Sequence, residues 1–234
     1  MKRTLKYSFS LLLLLLVPGT LFAQDEQKQE KVRIKGPRIG FDLSRLTLYY
    51  FEPERTAYEF SLDYEIKRNF YPVIEFGLQN IKLEKPIYNY YSDGYYARFG
   101  LDYNFQKGLA ADQYEMVFFG FRYGFSGQNH SADNITIADD YWGDFTVTSV
   151  PETKLYGHWI ELTGGIRAEL FRNIFIGWSV RGKLLLYKTR DREIDPYYIH
   201  GFGKGDKRVS LGFTYSIFYR LPLSKTGPKT IHAD

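Results

Sequence analysis

Four histidines, His130, His158, His200 and His232, are the side chains whose ordinary pKa suits general-base work near neutrality. His130 stands beside Ser131, with Asp133, Asp139 and Asp140 close behind, the one stretch that can be drawn as a Ser/His/Asp nucleophile group. Adjacent residues of an extended segment point apart, however, and a solvated loop naturally collects Ser, His and Asp. No catalytic residue is assigned. Asp133, Asp139, Asp140 and Asp144 offer oxygen ligands to a divalent cation, but their spacing misses the regular calcium-loop pattern and no metal site is assigned. With no cysteine in the chain there is no thiolate ligand or disulfide, and no cofactor is expected.

A larger set of charged residues recurs between apolar neighbours. Asp42, Glu59, Asp63, Glu65 and Glu75 come first, then Arg98, Asp102, Arg122, Glu161, Arg167, Glu169, Arg181 and Lys183. Strand side chains alternate between faces, so such charges share one face and the intervening apolar residues the other. The clearest case sets Val209, Leu211, Phe213, Tyr215, Ile217, Tyr219 and Leu221 against Ser210, Gly212, Thr214, Ser216, Phe218 and Arg220. Aromatics dominate the apolar face of nearly every segment, which fits a surface against lipid better than the two-sided core of a soluble sandwich.

The elements that position these charges are eight alternating segments. They run Ile39 to Tyr50, Tyr58 to Ile66, Ile74 to Leu78, Ala97 to Phe105, Val117 to Phe125, Ile160 to Leu170, Ile174 to Leu186 and Val209 to Leu221. The first loses register at Arg45, and a β-bulge near Ser44 or Arg45 would restore it and keep the guanidinium out of lipid. Short connections alternate with long ones. The long ones span 51–57, 82–95, 127–156 and 188–208, the rhythm of an up-and-down, antiparallel transmembrane β-barrel of eight strands with four longer external loops. A ten-stranded alternative adds a hairpin inside the third long connection by pairing Ile135 to Ile137 with Phe145 to Val150.

In an eight-stranded barrel the interior is only wide enough for side chains to fill, so the inward charges must neutralise one another as a salt-bridged plug. Most tyrosines fit headgroup girdles: Tyr49, Tyr50, Tyr95, Tyr96, Tyr156 and Tyr187 with His158-Trp159 at one rim, and Tyr64, Tyr71, Tyr103, Tyr114 and Tyr219 at the other. Tyr88, Tyr90, Tyr91, Tyr95 and Tyr96 also suggest a stacking surface for an external glycan or protein.

The start of the chain agrees with an envelope protein. Lys2, Arg3 and Lys6 precede an apolar run from Leu11 to Val17, and Leu21-Phe22-Ala23 is a cleavage site for a signal peptide over residues 1–23. A disordered periplasmic lead over 24–37, the barrel over 38–223 and a periplasmic tail over 224–234 complete the expected organisation. The net charge is only +4 with both signs interspersed, which excludes the basic stripe that nucleic acid demands.

The leader, the eight-strand rhythm and a last strand carrying Ser210, Gly212, Tyr215 and Ile217 resemble the small outer-membrane β-barrel proteins of Gram-negative bacteria, the OmpA/OmpX-like and related families. The resemblance spans nearly all of the chain after the leader. It implies that this strand is the signal read by the barrel assembly machinery and periplasmic chaperones, here internal to the chain, and that outer-membrane lipid surrounds the barrel. The expected function is a structural, envelope-integrity or surface-binding role with a closed lumen, in a protein that is not an enzyme. Alternatives are an enzyme modifying lipid A or peptides at the external rim, a narrow pore, or a secreted ligand-binding barrel.

Overall fold

A computed structural model describes residues 33–106, 113–137, 143, 145–189 and 194–226. Its elements are β1 (Arg33–Lys35), β2 (Arg38–Asp42), α1 (Ser44–Phe51), β3 (Arg55–Asp63), β4 (Phe70–Lys85), β5 (Tyr88–Asn104), β6 (Met116–Ile137), β7 (Phe145–Phe171), β8 (Ile174–Lys188), β9 (Tyr198–Ile199), β10 (Gly203–Lys204), β11 (Val209–Arg220) and β12 (Ser224–Thr226). Eight of them, in the order β11-β2-β3-β4-β5-β6-β7-β8, form a closed antiparallel barrel, as the alternation predicts. The register of closure sets Ile217 against Phe41 and Arg220 against Arg38.

Antiparallel pairing gives the barrel two unlike rims. One holds the start of β2, the end of β11 and the connections β3–β4, β5–β6 and β7–β8. The last of these is the expected two-residue turn at Arg172-Asn173, with Asn173 at φ 69°, where an Asn is more readily accepted than most residues. The lead and tail meet at this rim. Arg33–Lys35 pair with Ser224–Thr226, so the end of the expected disordered lead is a strand and the start of the tail is its partner. The leader, residues 24–32 and residues 227–234 lie outside the described residues.

The other rim, here the loop rim, departs from expectation. Two of the expected loops are strands: β4 and β5 continue to a turn at Pro86-Ile87, and β6 and β7 pair as far as Ile137 with Phe145. The residues of the ten-strand alternative do pair, Ile135 with Val147 and Thr136 with Thr146, but they lengthen β6 and β7 without adding strands. The irregularity expected near Ser44 is no bulge either, because the strand stops at Asp42 and α1 begins. The Asp42 carboxylate accepts from the Ser44 backbone N–H at 2.9 Å and from its hydroxyl at 2.6 Å, turning the chain. Arg45 then reaches inward and donates from Nε and Nη2 to Glu59 Oε2, at 3.1 and 2.9 Å.

Polarity inverts along the long strands, which explains why parity alone misplaced the loops. On β4 the outward residues Ile74, Phe76 and Leu78 give way to Asn80, Lys82 and Glu84, while the inward face passes from Glu75 to Ile81 and Leu83, both buried. Apolar-out becomes apolar-in, the change expected where water replaces lipid around a sheet. Above this level Ile81, Leu83, Tyr90, Ala132 and Val150 form a small core, with Tyr88, Ile135, Ile194 and Tyr198 packed against it.

Candidate functional site

The inward charges do meet. Arg98 on β5 lies at the centre of the lumen, fully buried, and pairs with Glu59, with Glu75 at 2.8 Å and with Glu161 at 3.4 Å. Arg181 on β8 reaches the same acids, Glu75 at 2.6 Å and Glu161 at 3.4 Å. Nearer the turn rim Arg122 holds Asp102 at 2.7 Å and Arg167 holds Asp63 at 2.8 Å. Small inward residues opposite large ones let these side chains fit. Gly77 lies under the Tyr96 ring and Gly124 under Trp159. Between these layers lies a cavity of about 30 Å³ lined by Glu75, Asp102, Arg122 and Thr163, room for a water molecule or two.

Of the predicted lumen residues, Asp42, Glu59, Asp63, Glu75, Arg98, Asp102, Arg122, Glu161, Arg167, Arg181 and Lys183 are buried and inward. Glu65 is not in the lumen; it lies past the end of β3, in the turn, where its carboxylate faces the Asn69 backbone N–H at 3.4 Å. Glu169 is half-buried at the rim, 3.3 Å from Arg220. Sequence reasoning missed Arg38, Arg45 and Arg220. Arg38 pairs with Asp63 at 2.6 Å and has the inward parity of Gly40 and Asp42, the signal that would have found it. It also missed Tyr96 and Trp159, which were expected in the outer girdle. Tyr96 donates its hydroxyl to Glu59 and Trp159 its indole N–H to Glu161, both at 2.6 Å and both fully buried. Tyr71 is likewise inside, with the Arg38 guanidinium 4.5 Å from its ring centre. Tyr114 lies at the turn-rim mouth under Arg220, 3.6 Å away. Tyr50, Tyr95, Tyr156, Tyr187, Tyr64 and Tyr219 are exposed, as a girdle requires.

Among the described residues, His130, Ser131 and Asp133 do not assemble a nucleophile group. His130 is buried on the inner face, with Tyr90 Oη 3.3 Å from its Nδ1, while Ser131 stands at a bulge in the β6–β7 pairing. Asp133 accepts from Asn89 at 2.7 Å. His158 faces outward against Tyr123, with 3.1 Å between Nδ1 and Oη. Asp139, Asp140, Asp144 and His232 lie outside the described residues. The tyrosine cluster also divides, with Tyr90 and Tyr96 turned inward and Tyr95 outward, so it offers no single stacking surface.

The last long loop folds back into the mouth as a cork. Ile199, His200 and Phe202 are buried there, and the chain turns between β9 and β10 through Gly201 at φ 75° and Gly203 at φ 141°, positions that favour glycine. Gln128 on β6 accepts from the His200 N–H at 2.8 Å and donates to the Tyr198 carbonyl at 2.7 Å. Burial, reinforced by the Arg55 charge, pushes the His200 imidazole down to about 3, so the cork is neutral there. From the wall Lys183 donates to the carbonyls of Gly201 at 2.6 Å and Phe202 at 3.2 Å.

The cylinder has a seam at β2. β2 pairs with β11 only from Ser216 to Arg220 and with β3 only from Phe60 to Asp63. Above that level β11, which carries Ser210, Gly212, Tyr215 and Ile217, is paired on its β8 side from Val209 but has no strand on its other side. Leu43 N donates to Tyr215 O at 2.8 Å as the last rung, and α1 packs into the gap against β3 and β11. A cavity of about 430 Å³ lies here, lined by Arg45, Arg55, Lys183, Lys204 and every residue from Ser210 to Thr214.

Among solved structures, the chain is similar to the N-terminal β-barrel domain of Pseudomonas aeruginosa OprF, at 8% identity over 82% of this chain and 100% of that one, with a TM-score of 0.41. It is also similar to Neisserial surface protein A, at 9% identity over 79% and 94% of the two chains, with a TM-score of 0.40. No curated protein matches the sequence. A family model described as a domain of unknown function, DUF6048, matches residues 4–226, and the chain belongs to that family.

Proposed function

We propose that this protein is an integral barrel of the bacterial outer membrane, with a closed lumen, that serves envelope integrity and binds at its surface. The observation that carries the reading is the opposition of the two faces of the wall. Outward residues such as Phe60, Phe76, Phe99, Phe121, Leu162 and Val180 are exposed apolar groups on consecutive strands, while the inward charges are buried and ion-paired. Water-filled channels belong to much wider barrels, and here the lumen holds crossed Arg–carboxylate pairs and a cork. The leader read in residues 1–23 supports export. The strand extension at the loop rim supports a surface role, since β5 and β6 with the last long loop carry an apolar pocket of about 270 Å³ beyond the belt, lined by Ile87, Tyr88, Tyr90, Ile135 and Tyr197.

Cell fractionation tests location, and gel mobility with and without boiling tests the barrel. The protein is expected in the detergent-extracted outer-membrane fraction, with a folded form that migrates differently after heating. Planar-bilayer recording is expected to show no steady conductance. Extraction into buffer without detergent overturns the membrane reading, and stable single-channel steps overturn the closed lumen.

A further inference from the structure

We infer that the seam between α1 and β11 is a lateral binding site for a phosphorylated lipid of the surrounding bilayer, an inference that rests on the membrane reading above. The seam cavity is lined by five in a row, Ser210 to Thr214. It lies along the edge of β11 that has no partner strand, between that edge and Ser44 and Thr47 of α1. On the outer side stand Leu211 and Phe213, 80% and 59% exposed. On the inner side stand Arg45, Arg55, Arg181, Lys183 and Lys204, with Glu52 the single carboxylate of the lining among the described residues.

The chemistry of these two sides selects an amphiphile with an anionic head. Arg45 is engaged by Glu59, Arg181 by Glu75 and Arg55 by Glu52. Lys183 differs: it is only 5% exposed and makes no ion pair with a carboxylate among the described residues. An ammonium has three N–H donors. Two go to the Gly201 and Phe202 carbonyls, which leaves a third for the cavity it lines. A backbone edge without a partner strand is tolerated at membrane depth only where it is buried or lines a polar cavity. A phosphate among Lys183, Arg55 and Lys204 neutralises the excess cation, and acyl chains leaving past Leu211 and Phe213 remain in the bilayer. Entry is sideways, so the closed lumen is no obstacle.

Native mass spectrometry of the full-length, detergent-solubilised protein tests this with three probes: dioleoyl phosphatidate, dioleoylglycerol, which lacks the phosphate, and inorganic phosphate, which lacks the chains. One phosphatidate per protein is expected at concentrations at least tenfold below those at which either other probe is retained. Lys183→Gln is expected to weaken phosphatidate retention tenfold or more. Because Lys183 also ties down the cork, Lys204→Glu serves as a second variant: Lys204 is exposed, and its reversal is expected to weaken retention while heat-dependent gel mobility stays as in the parent. Equal retention of phosphatidate and dioleoylglycerol overturns the anion site, as does retention unchanged in both variants. Phosphate displacing the lipid at equal concentration overturns the lipid assignment in favour of a soluble anion. Loss of the membrane fraction overturns the membrane reading and is read separately, by fractionation.

Discussion

Gln128 holds His200 from the wall: its side-chain oxygen accepts the His200 backbone N–H at 2.8 Å, while its nitrogen donates to Tyr198 O of β9, 2.7 Å away. One amide thus satisfies two backbone groups of the cork, the buried His200 N–H and the partly buried Tyr198 carbonyl. Replacing Gln128 by Leu keeps the volume and removes both partners, and an unsatisfied buried group costs about 1–3 kcal/mol. The expected result is local, with faster amide exchange at residues 198–204 and little change in the belt strands. Uniform exchange rates in parent and variant would show that the clamp does not hold the cork.

The same cork is expected to respond to acid. His200 is depressed from its ordinary 6.5 to about 3, chiefly by burial and then by Arg55. The open state therefore binds a proton more readily than the closed one. Closure keeps its full stability above about pH 6.5 and loses it progressively as pH falls toward 3. Trp159, whose ring lies 6.1 Å from Phe202, reports the change by its emission, which is expected to shift as the ring meets water between pH 6 and 4. In His200→Asn the shift should disappear. A shift of equal size in that variant assigns the acid response to other groups.

How much of this was legible in the residues follows from what parity encodes. The Glu75–Arg98 contact was readable, because both carry inward parity on neighbouring strands and stand opposite each other in register. Tyr96 and Trp159 share the parity of Arg98 and Glu161, yet an aromatic near a strand end suits a girdle equally well, and type outweighed parity. The loop-rim strands escaped for a different reason. Beyond Leu78 the alternation continues with its meaning reversed, which a pattern search for outward apolar residues reads as a loop. Arg45 of α1 is held by two buried carboxylates, Asp42 and Glu59, and no local pattern announces the second contact, fourteen residues away. The cork and the seam are tertiary outcomes, the first held from Gln128 and Lys183 and the second set by the short reach of β2.

Arg98 provides the sharpest test of the lumen as a lock. It is the shared partner of Glu59, Glu75 and Glu161, so Arg98→Met leaves buried carboxylates short of a cation. Removing one partner of a buried pair costs about 3–5 kcal/mol. Guanidinium unfolding in lipid vesicles is expected to show a loss of that size. The double variant Arg98→Met with Glu161→Gln is expected to recover part of it, because one stranded charge goes too. If the single variant unfolds like the parent, the network contributes nothing and the lumen is hydrated enough to screen it.

The inversion of polarity along β4 predicts opposite responses at two heights of the same barrel. Phe121 stands outward in the middle of the β6 belt segment, and Phe121→Arg puts a charge against hydrocarbon at a cost of about 2–4 kcal/mol. Leu83 lies above the belt, in a stretch that resembles a solvated loop by composition. There it is buried inward with Tyr90 and Val150, so Leu83→Ala is expected to cost about 2–5 kcal/mol, as for a core leucine. Its outward neighbour Glu84 is exposed, and Glu84→Arg is expected to change stability by less than about 0.5 kcal/mol. The three unfolding free energies, measured in the same vesicles, locate the change from lipid to water between Leu78 and Lys82. A large penalty for Glu84→Arg would move that boundary upward and extend the lipid belt over the strands assigned to the surface.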